Sequence, residues 1–181
     1  MVFRRWRTEF LPGRIRSHFH FVEATGSDRR ADSGWIPGSG RILVLAPHSD
    51  DEVLGPGGTA ALHALAGAEV CVGIVNDGQG GGPDDLDDGD LVLEREKEAM
   101  DAGKIIGIAH HAFAKLPDRS ADSWKRGRSW LRSLLDSRQP ERIYAPSPFD
   151  EHADHLFTSR LLAAELEVHT GSVEEVCSYE V

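Results

Sequence analysis

The chain contains no apolar run long enough to act as a signal peptide or to cross a bilayer, an absence that points to the cytoplasm. It has only two cysteines, Cys71 and Cys177, each inside an apolar strand-like stretch, so reduced core thiols are expected and a disulfide framework is excluded. Positive charge is scarce too: 20 Lys and Arg stand against 30 Asp and Glu, a net charge of −10 that argues against nucleic acid or an anionic membrane as the principal partner. The deficit is uneven, because residues 1–40 hold seven arginines against four acids. Those forty residues also lack a clean helical or strand period and read as an N-terminal arm. The reading preferred for them is an arm wrapping the domain through Phe10, Phe19, Phe21 and Trp35 rather than a basic docking patch. The remaining 41–181 are long enough for one domain with a substantial core.

What is present is concentrated in two places. Ile42 to Ala46 is short, aliphatic and β-branched, as a strand buried on both faces of a parallel sheet should be. Pro47 stops it, and His48, Asp50, Asp51 and Glu52 follow at once. Four ionisable groups in five residues are costly at the end of a buried strand unless a cation neutralises them. A second short strand, Arg142 to Ala145, runs in the same way into Asp150, Glu151, His152, Asp154 and His155. Ligands of open α/β sheets bind beyond the carboxyl ends of the strands, so both clusters are expected on one edge. His48, Asp51 and His155 would supply two neutral nitrogens and one carboxylate, a set that suits catalytic zinc and leaves a position for water; iron(II) or cobalt(II) would also be accepted. Asp50 is then left as a base, and His152 as an acid or oxyanion donor.

Between and after these clusters, helical periods run over Gly55 to Ala66, Leu91 to Ile108, Trp124 to Ser137 and Asp154 to Val168, and strand-like runs over Glu69 to Val75, His110 to Leu116 and Ser172 to Val181. Strands alternating with helices predict a three-layer α/β/α sandwich with a mainly parallel, Rossmann-like sheet. Leu93, Met100, Ile105 and Ile106 are the apolar positions expected for the second helix, and Arg95 and Glu98 lie one turn apart on it. By spacing alone those two are a surface ion pair. His63 and His169 carry no assignment. Gly55 to Ala60 matches G-x-G-x-x-A with Asp77 about twenty residues on, as a dinucleotide site would require, but Asp50, Asp51 and Glu52 would repel a pyrophosphate there. The Gly78 to Asp90 segment fails as a calcium loop, since Leu86 and Arg95 occupy positions that need oxygen ligands, and reads as a solvated loop beside the site.

At the two clusters the sequence resembles the LmbE-like or PIG-L family of zinc-dependent N-acetylglucosaminyl deacetylases. The family element P-H-P-D-D-E-x-x-G-x-G-G is matched by Pro47 to Gly58, departing only at Ser49, and the element H-x-D-H by His152 to His155. An R-x-x-E followed by A-x-x-x-hydrophobic-G is matched by Arg95, Glu98, Ala102, Ile106 and Gly107. The resemblance covers roughly 41–162 and implies removal of an acetyl group from an N-acetylated amino-sugar substrate. It implies that His48, Asp51 and His155 hold the metal, that Asp50 is the base, that His152 is oriented by Asp154, and that Arg95 and Glu98 lie on the substrate side. It also implies that 41–181 is such a domain without its C-terminal part, since family members usually continue past the last strand. Ser49 removes the rigid φ of a proline between ligand and base. A homo-oligomer is compatible with the sequence. The competing expectations are a dinucleotide-binding Rossmann domain and a catalytically idle binding domain.

Overall fold

The computed structural model describes residues 37–81, 88–118, 121–168 and 171–181. The arm expected over residues 1–40 falls outside them up to residue 36, as does His169. The described chain runs β1 (Arg41–Ala46), α1 (Asp51–Leu54), α2 (Gly57–Leu65), β2 (Glu69–Asn76), α3 (Asp88–Ile106), β3 (His110–Leu116), α4 (Trp124–Arg138), β4 (Arg142–Pro146), α5 (Ala153–Leu166) and β5 (Glu175–Tyr179), with single 3₁₀ turns at Gln79–Gly81 and Ala121–Ser123.

The five strands form one parallel sheet in the order β3-β2-β1-β4-β5. Alternate side chains of each strand serve opposite faces. Leu43, Leu45, Cys71, Ile143 and Val176 pack with Leu131, Leu135 and Leu161 under α4 and α5. Ile42, Val44, Val70, Val72 and Tyr144 pack with Ala60 and Ala99 under α2 and α3. The result is the expected three-layer sandwich, in which each fully buried Leu or Ile stabilises the fold by roughly 1.5–3 kcal/mol. Cys71 and Cys177 are free thiols on opposite faces of the sheet and cannot pair. On the α4–α5 layer, Glu165 is fully buried and bound by Arg128 and Arg132, which ties the two helices together.

Two expectations need correction. The helix foreseen over Gly55 to Ala66 is α2, Gly57–Leu65, and a separate helical turn that was not foreseen, α1, precedes it at Asp51–Leu54; Gly55 and Pro56 part the two, since Pro56 has no N–H with which to continue the α1 ladder. The apolar face of α3 is also different, because Leu93 and Ile105 are exposed while Leu91, Ala99 and Gly103 face the sheet. Ala99 and Gly103 let α3 lie close to its neighbours, Ile106 packs against the core, and Leu93, Met100 and Ile105 are left outside.

The strand order reverses between β1 and β4. Chain direction therefore departs to opposite sides at their carboxyl ends, opening a crevice there. The loops after these two strands are the ones that carry the acid and histidine clusters.

Candidate functional site

The β1 exit makes a tight turn, in which the Asp50 N–H donates to the His48 carbonyl at 3.1 Å, and then enters α1. Ser49 is thus at a turn that closes without a proline. Asp51 is buried at the start of α1, and its Oδ2 accepts the His48 backbone N–H at 3.0 Å. The same oxygen lies 3.3 Å from His48 Nδ1 and 3.4 Å from His155 Nε2. Asp50, by contrast, is exposed and lines the cleft. Its backbone N–H donates at 2.9 Å to Glu52 Oε2, a carboxyl that is almost completely buried.

The β4 exit ends at His152, the N-cap of α5, and His155 sits three residues later on the same face. Their ring centroids are 4.9 Å apart, and that of His48 lies 5.3 Å from His152 and 5.8 Å from His155. One nitrogen from each of the three rings falls within 4.8 Å of the others. Asp154 Oδ2 is 3.3 Å from His48 Nε2 and 3.9 Å from His152 Nδ1, so the residue expected to orient His152 stands nearer to His48.

Imidazole nitrogens and carboxylate oxygens suit a divalent ion. Tetrahedral zinc with bonds of about 2.0–2.1 Å separates its ligand atoms by about 3.3 Å, close to the two spacings that Asp51 Oδ2 makes with a nitrogen of His48 and of His155. Among the described residues, the groups whose donor atoms all lie within 4.8 Å of one another are His48 with His152 and His155, and His48 with Asp118 and Asp154; Asp51 belongs to neither, so the expected set of His48, Asp51 and His155 is brought close without forming one mutually close group. Electrostatics agree. Burial works against a charged His155, but the hydrogen bonds and charges of Asp51 and Asp150 outweigh it and raise the ring to about 9. Burial likewise opposes a charged His48, and Asp51, Asp118 and Asp154 raise it. Burial opposes ionisation of Asp51, yet the two histidines hold its carboxyl well below the usual range. The carboxylates thus favour protons on the rings of the metal-free protein, and a cation bound at those nitrogens must displace them.

A cleft of about 250 Å³ opens over these groups, lined by His48, Asp50, Asp51, Gly80, Arg95, Asp118, His152 and Asp154. Asp118 was not singled out by the sequence. It leaves β3 just after Lys115, a non-glycine residue at φ 51° beside a register shift in the β2–β3 ladder. Its carboxylate accepts the N–H groups of Gly78 at 3.1 Å and Gly80 at 2.8 Å and reaches to 3.9 Å from His48 Nε2. His48, Asp118 and Asp154 form a second group able to hold a cation. The available signal was positional, since in a parallel sheet every strand exit converges on the same edge. Arg95 lies against Gly78, which is at φ 75° and has no side chain to displace the guanidinium. Glu98 is exposed and does not line the cleft; Glu96 instead bonds Lys115 at 2.7 Å. His63, unassigned from sequence, is fully buried, with Nδ1 at 3.0 Å from the Gly38 carbonyl and Nε2 at 2.8 Å from the Tyr144 hydroxyl.

The chain is similar to known proteins over this region. A 1D-myo-inositol 2-acetamido-2-deoxy-alpha-D-glucopyranoside deacetylase of Saccharomonospora viridis is 29% identical over 158 residues, covering 72% of this chain and 59% of the relative. An N,N'-diacetylchitobiose deacetylase from Pyrococcus horikoshii, solved with its inhibitor MPG, superposes with a TM-score of 0.65 at 28% identity over 70% of this chain and 49% of that one. GalB, a 4-carboxy-2-hydroxymuconate hydratase from Pseudomonas putida, superposes with a TM-score of 0.60 at 26% identity over 69% and 55%, so the fold also carries other chemistry. This chain spans about half the length of the curated relatives it matches. A family model described as PIG-L, GlcNAc-PI de-N-acetylase, matches residues 43–165, which include both histidine loops and Arg95, and on that match the chain belongs to the PIG-L family.

Proposed function

We propose that the chain is a divalent-metal-dependent hydrolase that removes the acetyl group from an N-acetylglucosamine-containing glycoside or glycoconjugate, with zinc as the metal and iron(II) or cobalt(II) compatible with the same donors. The observation that carries this reading is the position of Asp51 Oδ2 between His48 Nδ1 and His155 Nε2, at the sheet's switch point and under a cleft. Names of relatives support the substrate class, since both the inositol glycoside and diacetylchitobiose carry N-acetylated glucosamine.

His48, Asp51 and His155 would hold the cation, which when bound polarises the acetyl carbonyl and lowers the pKa of water. Asp50, exposed beside the ligand, takes the proton of the attacking water and returns it to the leaving amine. His152, the most exposed of the three histidines, donates to the oxyanion of the tetrahedral intermediate. Arg95 and Asp118 stand on the wall of the same cleft and present a cation and an acceptor to the sugar hydroxyls.

The test is metal content together with free-amine release from N-acetylglucosamine glycosides. Asp50→Asn keeps shape but cannot accept a proton, so zinc should stay and turnover fall by roughly 10²- to 10⁴-fold. Asp51→Asn should weaken zinc instead. If both variants lost zinc equally, Asp50 would be a ligand and His152 the next candidate base; if both kept zinc and activity, the deacetylase reading would fail.

A further inference from the structure

The function proposed above gives no role to Asp150. It lies between the end of β4 and the start of α5, and its two carboxylate oxygens have different partners. Oδ1 accepts the backbone N–H of His152 at 2.8 Å, and Oδ2 lies 2.8 Å from His155 Nδ1. The His155 ring is largely buried, and its other nitrogen, Nε2, faces Asp51 Oδ2 at 3.4 Å. An ionised carboxylate can only accept. Its presence at Nδ1 therefore keeps a proton on that nitrogen, so Nε2, which faces Asp51 Oδ2, is the nitrogen that gives up its proton and offers a lone pair when a cation enters the space shared with Asp51 and His48.

We propose that Asp150 is a positioning residue for the metal centre, fixing the tautomer and plane of the His155 ring through one oxygen while the other fixes the backbone that presents His152. The proposal rests on the metal-dependent reading above. Both histidines of the second loop are thereby set by one side chain, and a change at Asp150 should be felt in metal affinity before it is felt anywhere else. Partners of this kind behind ligating histidines are typically worth 10- to 100-fold in metal affinity.

The alternative role is local: Asp150 would only cap a turn, and His155 would find its orientation from packing. Asp150→Asn separates the two. Its amide oxygen can still accept the His152 N–H, so the turn survives. Its amino group then faces Nδ1 as a donor, which favours the tautomer with the proton on Nε2, the wrong one for a ligand. Asp150→Ser keeps a short turn-forming acceptor but cannot reach the ring. Zinc and cobalt dissociation constants would be measured for the full chain by competition with a chromophoric chelator, alongside melting of the metal-free proteins. We expect both variants to bind roughly 10- to 100-fold more weakly with metal-free melting within about 2 °C of the parent, and Asp150→Asn to add nothing in a His155→Ala background. A parent that binds zinc tightly and an Asp150→Asn variant within threefold of it would overturn the positioning role alone. A parent that does not bind zinc would overturn the metal reading on which it rests. Equal further weakening in the His155→Ala background would show that Asp150 does not act through His155, and would also overturn the proposal.

Discussion

Gly55→Ala should disturb the site without touching any ionisable group. Gly55 ends α1, the turn that carries Asp51, and a Cβ there would fall 2.4 Å and 2.6 Å from two ring carbons of Tyr179 and 3.0 Å from the Asp51 carbonyl oxygen. Carbon atoms pack at about 3.5–4.0 Å, so the ring or the turn must retreat by more than about 1 Å. Neither is free to do so cheaply. Tyr179 is 1% exposed, and its hydroxyl donates to the Leu45 carbonyl at 3.0 Å. Displacing the ring strands a buried hydroxyl, which costs about 1–3 kcal/mol, and overpacking costs a further 1–3 kcal/mol or so. A loss of roughly 2–6 kcal/mol corresponds to a fall in Tm of roughly 4–24 °C for a chain of this length. If α1 yields instead of the ring, Asp51 moves with it, and zinc affinity should fall as well. Gly58, three residues further on, is the control: its Cβ would meet nothing within 4 Å, so Gly58→Ala should melt at or slightly above the parent temperature. Thermal melts of the metal-free proteins and a chelator competition for zinc would decide. A Gly55→Ala protein with parental Tm and parental zinc affinity would refute the close-contact argument.

Glu52 should make metal-free stability fall with pH. Burial pushes its carboxyl up to about 7 from the usual 4.5, so the stability it contributes is present below about 4.5 and lost as pH rises through 7, a difference of roughly 3 kcal/mol. Glu52→Gln cannot ionise, and its Tm should exceed the parent's by roughly 6–12 °C at pH 8 but match it near pH 4.5; a difference independent of pH would contradict this. Arg95→Ala should raise KM for an N-acetylglucosamine glycoside at least about tenfold, the worth of one charged contact of about 1.4 kcal/mol, with kcat, metal content and melting little changed. Unchanged kinetics would return Arg95 to a surface role.

The five strands and the two places where chemistry gathers were legible in the sequence, because a parallel-sheet strand is a short aliphatic run and its exit is marked by a stop such as Pro47 or Pro146. Strand exits of a parallel sheet share an edge, which is enough to expect His48, Asp51, His152 and His155 at one site from the sequence alone. Resemblance to the family supplied Arg95, which spacing alone assigned to an ion pair. What was not legible depended on how elements are rotated and inserted. On α3, Arg95 and Glu98 are one turn apart, yet the burial of Leu91, Ala99 and Gly103 rotates Arg95 to the cleft and leaves Glu98 in solvent. Asp118 reaches His48 only because the register shifts at Lys115 and the backbone N–H groups of Gly78 and Gly80 hold its carboxylate. His63 looked like an ordinary helical histidine, and its burial follows from the approach of Gly38 and Tyr144 from elsewhere in the chain. Sequence periodicity carries which residue types lie near a strand's end, since that depends on neighbours a few positions away. The distances that turn Asp51 into a shared partner of two histidines, and Asp150 into the support of one, depend on contacts across the sheet, and only packing of the whole domain decided them.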